Sequence, residues 1–108
     1  MLETSNANGQ IFTGNVQLVH AVGMHARPAV KLTQLAKSFG ATVELALGPE
    51  GPWVDAKSPV RIMRVKAPKG AVLHFRAWGG DADAAIGALV DLVGRAFDEE
   101  AGEGVGRA

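Results

Sequence analysis

The stretch "VGMHARPAV", residues 22–30, sets an imidazole and a guanidinium two positions apart, His25 and Arg27, and follows them with Pro28. A proline suits the first turn of a helix, where its missing N–H would have no partner anyway, so the segment reads as a turn at Gly23 leading into a helix. A helix N-terminus exposes unpaired N–H groups and about half a positive charge, which disfavours an imidazolium. His25, placed beside it and near Arg27, is therefore biased toward its neutral form, with one ring nitrogen free to act as a nucleophile near neutral pH. Once that nitrogen carries a phosphoryl group, the same N–H groups and the guanidinium stabilise the new dianion. The chemistry suggested is reversible phosphorylation. An isolated histidine before a helix is ordinarily a surface or capping residue, so spacing alone leaves both readings standing.

Other chemistries find less support. The remaining histidines, His20 and His74, fall on expected strands without metal-type local spacing, and cysteine is absent, so no thiolate metal site, disulfide scaffold or thiol catalysis is expected. The glycine pair in "WGGDAD" lacks the further glycine and the lysine of a nucleotide-phosphate loop. Eleven basic and eleven acidic side chains cancel in a chain of 108 residues, which gives no overall footprint for nucleic acid or an anionic membrane. With no signal-like start and no apolar run of membrane-spanning length, the expectation is a cytoplasmic protein that does not enter a membrane.

The elements that must position His25 follow from hydrophobic period. Residues 11–20 alternate Phe12, Val16 and Leu18 against Asn15 and Gln17, a first strand. "RPAVKLTQLAKSF" spaces Ala29, Leu32, Leu35, Ala36 and Phe39 as one face of a helix, with Gly40 as its stop. "TVELAL", the turn "GPEGP" and "WVDAK" read as a hairpin. Ser58 is placed as an N-cap with Pro59 at the first helical position of a short helix to about Val65. "AVLHFRAW" alternates as a fourth strand, and Asp81 is placed to cap a long helix burying Ala85, Leu89, Leu92, Val93 and Ala96. The order βαββαβα predicts an α+β domain over residues 11–97, an open-faced two-layer sandwich with a four-stranded antiparallel sheet covered on one side by three helices. Residues 1–10 and 98–108 lack hydrophobic period and are expected to be flexible tails.

In that order of elements, "GMHARPAV" followed about thirty residues later by "VDAKSPVRIMRV" resembles the HPr family of phosphocarrier proteins of the bacterial phosphoenolpyruvate-dependent phosphotransferase system. The resemblance covers residues 11–97. It implies that His25 accepts a phosphoryl group on Nδ1 and that Arg27 steadies it, with enzyme I as donor and a histidine of an EIIA-type protein as acceptor. No cofactor and no resident metal are implied, and the protein is a carrier rather than an independent catalyst. A monomer is expected, because one site must meet two partners in succession. An exposed docking face is expected from Met24, Val60, Ile62 and Met63, with Arg61 and Arg64 beside them as electrostatic guides, although Ile62 and Met63 also suit a core. Ser58 occupies the position that HPr kinase/phosphorylase modifies in many members.

Three residues depart from the pattern. Val22 stands where members often carry a small polar residue near the histidine, Pro59 replaces the usual apolar residue after the serine, and Lys66 stands where a glycine often ends the short helix. "GMHARPA" is similar to members of the nitrogen-related branch, so a mainly regulatory protein is the alternative. A small metal enzyme or hydrolase using His20, His25 and His74 is the rival from another class.

Overall fold

A computed structural model describes residues 10–19, Met24 and residues 26–98. In chain order the elements are β1 (Phe12–Gln17), α1 (Ala26–Lys37), β2 (Thr42–Ala46), β3 (Val54–Asp55), α2 (Pro59–Val65), β4 (Val72–Trp78) and α3 (Ala82–Gly94), followed by a short turn at Ala96–Asp98. The strands form one antiparallel sheet in the order β1-β4-β2-β3. β4 lies between β1, with Phe12 opposite Ala77, and β2, with Leu45 opposite Phe75. This is the α+β architecture and element order expected from the sequence.

Alternation along the strands makes the two faces of the sheet unlike. Val43, Leu45, Leu73, Phe75 and Ala77 point into a core shared with Ala29, Leu32 and Ala36 of α1, Ile62 of α2, and Ala85, Leu89 and Val93 of α3. At about 25 cal/mol per Å² of apolar surface removed from water, this one-sided burial is the main force holding helices to sheet. β1 contributes Gly14 at a core-facing position where α3 passes closely: a Cβ there would lie 2.8 Å from Ile86 Cγ2. The opposite face carries Glu44, His74, Arg76 and Trp78. There the Arg76 guanidinium pairs with Glu44 at 2.7 Å and lies 4.2 Å from the Trp53 ring centroid, fastening the β2–β3 connection to the sheet.

Several boundaries differ from expectation for local reasons. β3 is only two residues long: the Ala56 N–H still reaches Val43 O in the same register, but the Lys57 N–H turns back to the Asp55 carboxylate and the Ser58 N–H to Asp55 O. α1 stops at Lys37, where Ser38 and Phe39 N–H donate to carbonyls three residues back. Asp81 holds the N-cap position of α3, but its carboxylate does not cap that helix. It accepts N–H groups from Gly40 at 2.9 Å and Ala41 at 2.8 Å, tying the start of α3 to the entry of β2. Ala96 is buried as expected but lies beyond α3, in a left-handed turn with φ of 55°, 58° and 61° at Ala96, Phe97 and Asp98. Fully buried Phe97 and the Lys31 Nζ bond to Phe97 O hold that turn. Asp98, which the sequence assigned to a tail, belongs to this turn; residues 1–9 and 99–108 lie outside the described residues, as does the expected turn at Gly23.

Candidate functional site

His25 lies outside the described residues, as do His20 and Val22, but both of its chain neighbours are placed. On one side, the Met24 N–H donates to Ala67 O at 2.9 Å, and its side chain is buried in the core. On the other, Ala26 opens the twelve-residue helix α1, whose first turn contains Arg27 and Pro28 and no acidic residue. Arg27 is exposed there, and Pro28 is buried. The helix N-terminus invoked from sequence is therefore present immediately after residue 25, and the Met24–Ala67 bond ties the residue before it to the segment that follows α2.

α2 begins as the sequence indicates. Ser58 is its N-cap, its Oγ accepting the Arg61 N–H at 3.3 Å, and Pro59 follows in the first turn. The helix ends at Lys66, which takes a left-handed conformation at φ 56° and donates its N–H to Met63 O. A lysine there adopts a conformation that favours glycine.

The expected docking face is corrected at two of its six residues. Ile62 is fully buried, being the residue that α2 turns into the core, and Met24 is 7% exposed. A seven-residue helix packed against α1 and β3 must seat one side chain inward to be held at all, and here that residue is Ile62. Met63 is half-buried and packed against the core. Val60, at 53% exposed, and exposed Arg61 and Arg64 form the outward face of α2. His74 sits on the far side of the sheet, opposite Asn15 of β1 and Ala46 of β2 and away from the helical layer. Among the described residues, no three acidic or histidine side chains could hold a metal ion, and no helix is long and apolar enough to cross a membrane.

A whole-chain charge count hides a strong segregation. No aspartate or glutamate occurs from 26 to 43 or from 56 to 80, stretches that contain α1 and α2 with Arg27, Lys31, Lys37, Arg61 and Arg64. α3 carries Asp83 and Asp91 and no basic residue. The Arg61 and Arg64 guanidinium groups have no carboxylate partner among the described residues, whereas Arg95 is paired with Asp91 and Asp98. Counting charge in windows along the sequence would have found this cationic side.

Comparison with known proteins shows the family. The family described as "PTS HPr component phosphorylation site" matches residues 12–95. The chain is 36% identical over 84 residues to the phosphocarrier protein HPr of Pseudomonas aeruginosa, covering 78% of this chain and 92% of that one. It is 34% identical over 85 residues to the phosphocarrier protein NPr of Escherichia coli, covering 79% and 93%. Among solved structures, HPr from Thermoanaerobacter tengcongensis superposes with a TM-score of 0.75 at 34% identity, covering 82% of this chain and 98% of that chain.

Proposed function

The chain belongs to the HPr family and is a phosphocarrier of the phosphotransferase system, and from that premise we propose that His25 is its phosphoryl acceptor. The observation that carries this reading is the position of residue 25 directly before a helix whose first turn holds an arginine and no carboxylate. In the forward step the phosphorus–nitrogen bond of the donor histidine in enzyme I breaks as a bond to His25 Nδ1 forms. In the onward step the phosphorus–nitrogen bond at His25 breaks as one to a histidine of an EIIA-type protein forms. The N–H groups at the start of α1 and the Arg27 guanidinium stabilise the dianion while it rests on His25. Catalysis of each step belongs to the complex of the two proteins, so the carrier is a substrate of enzyme I; a single site that meets two partners in succession suits a monomer, and the cytoplasm is its place of action.

The cationic face of Val60, Arg61 and Arg64 suits partners that present carboxylates around an apolar contact. Ser58 is a regulatory candidate for HPr kinase/phosphorylase. A phosphate there would put a dianion beside Arg61 and reverse the local charge on which such partners depend. The test of the main reading is incubation with enzyme I, magnesium and phosphoenolpyruvate, followed by mapping. Acid-labile phosphate on residue 25 is expected, and equal labelling of a His25→Ala protein would contradict it.

The similarity to NPr favours a second reading, a mainly regulatory carrier of the nitrogen-related branch. Transfer rates to a sugar-type and a nitrogen-type EIIA protein, measured side by side, separate the two.

A further inference from the structure

Beside the outward face of α2 lies a groove of about 300 Å³ lined by Leu47, Pro52, Val54, Arg61, Arg64 and Val65. Its walls come from the β2–β3 connection with Val54 of β3 on one side and from α2 on the other. We propose that this groove is a second docking element, receiving an apolar side chain flanked by carboxylates on a protein partner of phosphoryl transfer. The proposal rests on the carrier reading above and extends the contact surface beyond the helices.

Three observations support it. First, the groove is continuous with the docking face, because Arg61 and Arg64 belong to both. Second, its chemistry is matched to one kind of occupant. The apolar lining of Pro52, Val54 and Val65 suits a single hydrophobic side chain, the volume being at the lower end for ligand pockets. The two guanidinium groups, one helical turn apart and without a carboxylate among the described residues, suit acidic residues on either side of it. Asp55, the nearest acidic residue in sequence, does not line the groove; its carboxylate accepts the Lys57 N–H at 2.9 Å.

Third, the loop wall is fixed before any partner arrives. Trp53, between Pro52 and Val54, is stacked on Arg76 at 4.2 Å, and Arg76 is held in turn by Glu44 at 2.7 Å. A wall already ordered loses little conformational entropy on binding. Leu47 stands at the rim, 40% exposed, so it is accessible to a partner and open to substitution without cutting into the core.

The test uses the full chain with Leu47→Asp and the milder Leu47→Ser, and Val72→Asp as control. Val72 is 42% exposed on the open face of the sheet and does not line the groove. KM and kcat are measured for uptake from phospho-enzyme I and for delivery to the EIIA-type protein. The expected result is a KM about fivefold to tenfold higher for at least one partner with Leu47→Asp, a smaller rise with Leu47→Ser, and kcat little changed. Label on residue 25 should still reach full stoichiometry at saturation, and Val72→Asp should behave as wild type. KM unchanged for both partners with both Leu47 variants, or raised equally by Val72→Asp, overturns the groove while leaving the carrier reading intact. Failure of the unaltered protein to take label on residue 25 overturns the carrier reading itself.

Discussion

The two sides of the helical layer treat charge in opposite ways. Around α3, two charged groups are satisfied inside the chain: Asp81 accepts the Gly40 and Ala41 N–H groups, and Arg95 is held by Asp91 and Asp98. On α2, Arg61 and Arg64 point outward with no carboxylate partner among the described residues. The difference separates charges that build the fold from charges available to another molecule. Substitution on the first side should appear in stability, and on the second in encounter with partners.

The largest effect is expected from Arg61→Glu combined with Arg64→Glu. Steady-state kinetics with enzyme I should show KM raised at least about tenfold, with the melting temperature nearly unchanged. A large fall in melting temperature with KM intact would break the division between the two sides. Next is Asp81→Asn, which should lower the melting temperature and leave KM as it was.

The same carboxylate gives a pH signature. The Gly40 N–H holds Asp81 below the ordinary carboxylate range, with the Ala41 N–H and the Lys57 charge acting in the same direction against a partial loss of hydration. A depressed folded-state pKa means the unfolded chain binds the proton more readily as acid is added. The Asp81 contribution is thus fully present above the unfolded value near 4 and is lost as pH falls through the lower folded value. Melting curves of Asp81→Asn and wild type should converge toward acid pH, and a constant gap from neutral pH to pH 3 would refute this origin.

Ser58→Ala should cost about 1 kcal/mol in denaturant unfolding through loss of the cap on α2. Ser58→Asp should retain the cap, since aspartate serves equally well there, while raising KM for enzyme I by placing negative charge beside Arg61. If Ser58→Ala loses stability, Ser58→Asp keeps it and neither changes KM, Ser58 is a cap and nothing more. The smallest effect is expected at the other end of the helix. Lys66→Gly should stabilise by roughly 0.5–1 kcal/mol, because glycine adopts the left-handed conformation without the strain a side chain incurs there, and part of that gain is offset by its looser unfolded state.

What could be read in the sequence follows from how local each cause is. The strand and helix order, the Ser58–Pro59 start of α2 and the helix start after His25 depend on residues within a turn or two of one another. Asp81 was misread because a carboxylate just before a helix is the pattern of a cap, and its real partners are about forty residues away in the chain. Ile62 reads as a docking residue because α2 is too short for its apolar residues to reveal an inward side, and Met24 because it lies outside any helix or strand whose period could orient it. Only the packing of the folded chain, which buries both side chains, distinguishes inside from outside. The Trp53–Arg76–Glu44 clamp and the groove it braces join three segments with no shared motif. The charge segregation was available from sequence and hidden by the net charge of zero.

The central claim, that His25 holds a phosphoryl group between two proteins, is tested most directly by isolating the labelled protein free of enzyme I and adding an EIIA-type acceptor. The account predicts that label leaves residue 25 and appears on a histidine of the acceptor with none released as inorganic phosphate during transfer. Label that stays on residue 25, or leaves it only as inorganic phosphate, would contradict the claim.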